Sequence, residues 1–75
     1  MKIRFTYHAQ YRLYERNISI DKIREVLLYP DFESRLDDGR IIRNKRLGDE
    51  SIRVVFRVNN SSEFSIITFY YEKRQ

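Results

Sequence analysis

Ser51-Ile52-Arg53-Val54-Val55-Phe56-Arg57-Val58 decides how the fold is read. Ile52, Val54, Phe56 and Val58 recur with a period of two, and Arg53, Val55 and Arg57 fill the alternate positions. This pattern predicts a β-strand with one apolar, buried face and another that carries guanidinium groups. Toward the C-terminus, Asn59-Asn60-Ser61-Ser62 reads as a loop. Phe64 to Tyr71 is then almost continuously β-branched or aromatic, as a central strand buried on both sides would be. Tyr70 and Tyr71 must point to opposite faces, one into the core and one outward. Residues 72–75 are polar and are expected to fray.

Upstream of the deciding strand, Gly48-Asp49-Glu50 marks a turn and Asp38-Gly39 a tight hairpin, which bound a strand from Arg40 to Leu47. Phe32, Ser34 and Leu36 alternate with Glu33 and Arg35 in a further strand. At the N-terminus Ile3, Phe5 and Tyr7 alternate with polar residues, so a short strand ends near Tyr7. His8 to Arg16 is rich in helix formers, with Asn17 placed as a left-handed cap. Ser19 caps a second helix whose stripe is Ile20, Ile23, Val26 and Leu27, and Pro30 ends it.

The predicted fold is therefore α+β: a strand, two short helices, then a four-strand antiparallel meander, with the helices on one face of a five-stranded sheet. Arg53 and Arg57 fall on the open face. Depending on the hairpin register, either Arg40 and Arg46 or Arg43 and Lys45 join them. Phe5, Phe32, Phe56, Phe64 and Phe69 are read as core.

Residues 1–75 leave room for one domain, and at this size only about 60% of the unfolded surface is buried on folding. The absence of cysteine excludes disulfides, zinc ribbons, iron–sulfur clusters and thiol nucleophiles. A single histidine argues against a transition-metal site, and two glycines argue against a phosphate loop, so no cofactor is expected. The net charge is +4, and arginine supplies eleven of the fifteen basic residues. Because guanidinium pairs bidentately with phosphate and stacks on bases, this balance points to RNA as a partner. No apolar segment of signal-peptide length opens the chain; a cytoplasmic protein without a membrane partner is expected.

His8, Arg12 and Arg16 are four residues apart and stack in one column along the first helix. The bland reading is that His8 bonds a strand-end carbonyl while the arginines pair with carboxylates. The chemical reading starts from metal-free RNA cleavage. That reaction needs a base for the 2′-hydroxyl, cations for the phosphorane and an acid for the leaving oxygen. Imidazole ordinarily titrates near neutrality, which makes His8 the natural base or acid, with Arg12 as a cation and Tyr70 as a second proton donor. Arg16, Arg43, Arg46, Arg53 and Arg57 are the candidate RNA-binding residues. His8 begins a helix, so it meets the arginine face only at an edge or end of the sheet.

The segment Tyr7-His8-Ala9-Gln10-Tyr11-Arg12-Leu13-Tyr14-Glu15-Arg16-Asn17-Ile18-Ser19 resembles the opening motif of a family of small prokaryotic and phage domains of unknown function. There a His-Ala pair is followed by Arg four residues after the His and then by Glu-Arg-Gly-Ile-Ser, and Asn17 stands here in place of the glycine. The resemblance continues in Val26-Leu27, Pro30, Gly39, Val54-Val55 and Ile66 to Tyr70. The layout of that family looks like the RelE and BrnT toxin fold. The resemblance implies a metal-independent endoribonuclease, acting on messenger or ribosome-bound RNA and countered by an acidic antitoxin-like protein. The alternative is a non-enzymatic module of the same fold that binds nucleic acid or protein through its basic face.

Overall fold

The computed structural model describes residues 2–60 and 62–73. The elements are β1 (Lys2–Phe5), α1 (Tyr7–Arg16), α2 (Ile20–Leu28), β2 (Phe32–Arg35), β3 (Ile41–Leu47), β4 (Glu50–Asn60) and β5 (Glu63–Lys73). They form the expected α+β arrangement, a five-stranded sheet in the order β1-β5-β4-β3-β2. β2 to β5 are an antiparallel meander, and β1 pairs parallel with β5 across the helical connection.

Local chemistry sets the boundaries. Thr6 caps α1, its hydroxyl accepting from the Ala9 amide at 3.2 Å, and Asn17 ends the helix in the left-handed region at φ 54°. The Ser19 hydroxyl likewise accepts from the Lys22 amide to begin α2. The Leu36 amide donates to the Arg40 carbonyl and the Gly39 amide to that of Leu36, with Gly39 at φ 92°. This is a three-residue hairpin loop closed by a glycine bulge rather than a two-residue turn.

Ala9, Ile23, Val26 and Leu27 from the helices pack against Ile41, Ile52, Val54, Phe56, Ile66 and Phe69 from the sheet, and all are buried. Burial of a large aliphatic side chain contributes roughly 1.5–3 kcal/mol, so this layer is the main stabilising contact of the domain. Arg53 and Arg57 stand exposed on β4 in alternation with buried Ile52, Val54 and Phe56, but the pattern departs from expectation at two positions: Val55, on the arginine side, is buried, and Val58, expected inward, is 43% exposed.

Several expectations are corrected. β1 stops at Phe5, and Tyr7 already belongs to the helix. Phe32 is 68% exposed: β2 is an edge strand, and the register Phe32↔Asn44↔Arg53 puts this ring on the open face. Ile20, at 47% exposure, stands outside the core stripe. Asn59 and Asn60 extend β4 rather than forming the loop, and Ser61 lies outside the described residues. Glu72 and Lys73 continue β5, paired with Ser51 and Glu50; Arg74 and Gln75 lie outside the described residues.

The apolar run in β5 has a different cause from burial on both faces. The register shifts between Val55 and Phe56, whose partners are Thr68 and Ile66, and leaves Ile67 as an extra residue. The bulge lets Ile66 and Phe69, three residues apart, both reach the core, while Tyr70 turns outward.

Candidate nucleic-acid interface

β1 ends opposite Ile66, and α1 takes its place along the remaining edge of β5. Thr6 makes the junction: its amide donates to the Ile66 carbonyl and its hydroxyl to the Ile67 carbonyl, both at 3.0 Å. Gln10 Nε2 adds a bond to the Phe5 carbonyl at 3.2 Å. Thr6 thus caps the Ala9 amide and Gln10 holds the strand-end carbonyl of Phe5, and His8 is exposed with no hydrogen-bond partner among the described residues. The bland role for His8, holding a strand-end carbonyl, belongs to these neighbours.

From this edge Arg12 reaches the open face, where its guanidinium carbon lies 5.6 Å from the centroid of the Tyr70 ring. At about 100° per residue, His8 stands some 40° from Arg12 around the helix and one turn nearer its start, on the same flank. Arg16 is one turn further on and exposed. The sheet edge is therefore where the helical column meets the basic face.

Tyr70 is 50% exposed and pairs directly with Arg53, which pairs with Asn44, which pairs with Phe32. Phe32, Asn44, Arg53 and Tyr70 form one row across four strands, and Arg12 closes its end. A hollow of about 320 Å³ lies over the row, lined by Asn44, Ser51, Arg53, Tyr70 and Glu72. Arg46 stands on the next row, opposite Ser51. Arg12, Arg46 and Arg53 form no ion pair with any described residue. Arg12 Nε and Thr68 Oγ1 are buried without a partner among the described residues. This end of the face therefore keeps both positive charge and hydrogen-bonding capacity unspent.

Two sequence candidates lie elsewhere. Arg43 pairs with Val54 and so faces the helices. It donates to the Leu27 carbonyl at 2.6 Å, meets Glu33 at 2.7 Å and covers Phe56 with its guanidinium carbon 5.1 Å from the ring centroid. Beside it, Lys45 Nζ donates to the Tyr29 carbonyl at 2.8 Å. α2 has no basic residue in its last turn, and these two strand residues supply the positive charge that its C-terminal carbonyls favour. Arg57 is on the open face but four residues from Arg53, about 13 Å along the strand. Its Nη1 donates to the Asp38 carbonyl at 2.6 Å, so it braces the β2–β3 loop.

The ion pairs that fix the scaffold leave their mark on titration. Hydrogen bonding from Arg43 holds the Glu33 carboxyl below the usual range, and the Arg40 amide does the same for Asp38. On the helix side the Tyr71 hydroxyl donates to Glu50, which lowers the carboxyl and raises the phenol; Lys22 lies 3.6 Å from the same carboxylate.

Sequence reasoning missed Phe32, Asn44, Ser51, Thr68 and Glu72 as parts of this face. Asn44 carried a usable signal, since a polar amide in mid-strand, flanked by Arg43 and Lys45, must face solvent or a ligand.

The family described as Domain of unknown function (DUF4258) matches residues 5–71, so the chain belongs to that family. No match was found among curated proteins or among solved structures. No helix among the described residues is long and apolar enough to cross a membrane.

Proposed function

We propose that this DUF4258 domain binds RNA on the open face of its sheet and cleaves it without a metal ion, as a toxin-type endoribonuclease of the RelE and BrnT kind acting in the cytoplasm. The observation that carries the reading is the convergence of Arg12, Tyr70 and Arg53, a cation, a phenol and a second cation brought from a helix and two strands to one end of an otherwise open face. A phosphodiester placed there has two guanidinium groups for the charge of the phosphorane. His8 takes the 2′-hydroxyl proton as that oxygen bonds to phosphorus, and Tyr70 protonates the departing 5′-oxygen as its bond to phosphorus breaks. The products are a 2′,3′-cyclic phosphate and a 5′-hydroxyl. Arg46 and Arg16 extend the positive surface on either side, and an antitoxin-like partner for this face is an acidic segment laid over it.

The test is cleavage of a labelled single-stranded RNA in excess chelator by wild type, His8→Ala and Arg12→Ala, with melting curves of the same preparations. His8→Ala is expected to lose about a hundred- to ten-thousandfold in rate and to melt like wild type, because His8 is exposed and makes no hydrogen bond among the described residues. Cleavage that survives His8→Ala overturns the proton-transfer role, and binding without cleavage by wild type reduces the domain to an RNA-binding module.

A further inference from the structure

Phe32 and Tyr70 are the two aromatic ends of the cross-strand row, 68% and 50% exposed, with Asn44 and Arg53 between them. Phe32 contributes nothing to the core, and its register places the ring on the same open face as Arg53 and Tyr70. From β2 to β5 is three strand spacings, so the two rings stand about 14 Å apart. Bases stacked in a duplex follow one another at about 3.4 Å and keep their faces against each other, which leaves none for the protein.

We propose that the row is a stacking platform for single-stranded RNA, with two bases that are not sequence neighbours lying on Phe32 and Tyr70 and the intervening backbone held by Arg53. This rests on the RNA-binding reading above and names its substrate class. The order along the row, aromatic, amide, cation, aromatic, matches an unstacked strand, in which apolar bases are separated by charged phosphates. It does not match an apolar protein surface, which would bury Arg53 without a counter-charge. Arg12 holds the Tyr70 ring from the sheet edge. Ser51 Oγ donates to Asn44 Oδ1 at 3.1 Å, which leaves the Asn44 N–H groups to meet acceptors on a base edge.

The experiment measures anisotropy at low salt with labelled oligoribonucleotides of one to six residues and with a blunt RNA duplex. Wild type is expected to gain affinity in a step once the strand is long enough to reach both rings, at three nucleotides or more, and to prefer single strands to the duplex. Phe32→Ala should remove the step and weaken the longer oligomers by about five- to hundredfold, with mono- and dinucleotides, which reach one ring at a time, weakened by only about twofold through the loss of one of two rings. Phe32→Tyr should retain the step and Phe32→Leu should not. All three variants should melt like wild type. Equal affinities for wild type and Phe32→Ala at every length, or duplex binding as tight as single-strand binding, overturns the platform while leaving the RNA-binding reading in place. An RNA-free dimer that Phe32→Ala dissociates makes the occupant a second copy of the chain and also overturns it. No RNA binding by wild type removes both.

Discussion

Arg43→Ala removes together the donor to the Leu27 carbonyl, a partner of Glu33 and the cation over Phe56. A hydrogen bond from a charged group contributes about 1.5–3 kcal/mol, and a partly desolvated cation–aromatic contact about 1–2 kcal/mol. The ion pair with a one-third-exposed Glu33 adds at most about 1 kcal/mol. These contributions share one side chain and do not sum, so the expected loss is about 2–4 kcal/mol. In a domain of this length each kcal/mol lowers Tm by about 4–8 °C, which gives a fall on the order of 10–30 °C. Arg53→Ala should do the reverse. Exposed and unpaired, Arg53 should change stability by no more than about 0.5 kcal/mol, while its loss flattens the logarithmic salt dependence of RNA binding by about 0.7. Thermal melts by circular dichroism and anisotropy titrations at several salt concentrations, run on both variants below their Tm, read the two effects separately. An Arg43→Ala protein that melts like wild type but binds RNA with a flatter salt slope would refute the assignment of β3 side chains to faces.

Thr6→Val deletes both the acceptor for the Ala9 amide and the donor to the Ile67 carbonyl, and should cost about 1–2 kcal/mol by chemical denaturation. An unchanged midpoint would mean that the Thr6 hydroxyl contributes nothing to holding α1 against β5, leaving the Thr6 amide bond to Ile66 and packing. The carboxyls of Glu33, Asp38 and Glu50 are depressed on folding, so the stability they contribute is present above their ordinary values of 4.5, 3.8 and 4.5 and is lost as pH falls through the folded values. The Tyr71 phenol is raised on folding, so its contribution is present below its ordinary 10.0 and is lost as pH rises through the folded value. Tm against pH should therefore be flat from about 5 to 9 and fall on both sides, with Tyr71→Phe abolishing the alkaline fall.

The alternation around Arg53 settled the sheet, because a strand that buries one face leaves little freedom to the rest of a 75-residue chain. The caps at Asn17 and Ser19 were readable because a left-handed residue and a hydroxyl acceptor act within a single turn. The fate of Arg43 was not readable, since it depends on the β3 register, which a one-residue slip would invert and which Gly39 fixes through its bulge. The Ile67 bulge was hidden for a related reason: an unbroken apolar run carries no period from which a shift in parity can be seen. Phe32 was misassigned by its chemistry, as aromatic residues default to the core unless the strand that bears them is known to be an edge. The meeting of Arg12 with Tyr70 depends on β1 being too short to cover β5, a boundary that sequence places only to within a few residues.

Amide and guanidinium chemical-shift mapping of the ¹⁵N-labelled domain during titration with a short single-stranded RNA at low salt locates the bound strand residue by residue. The largest changes should fall on Asn44, Arg53, Tyr70 and the Arg12 Nε–H, with His8 following, while Lys45 and residues 22–27 of α2 stay still. Changes centred on α2 or on β1, or none at saturating RNA, would contradict the account.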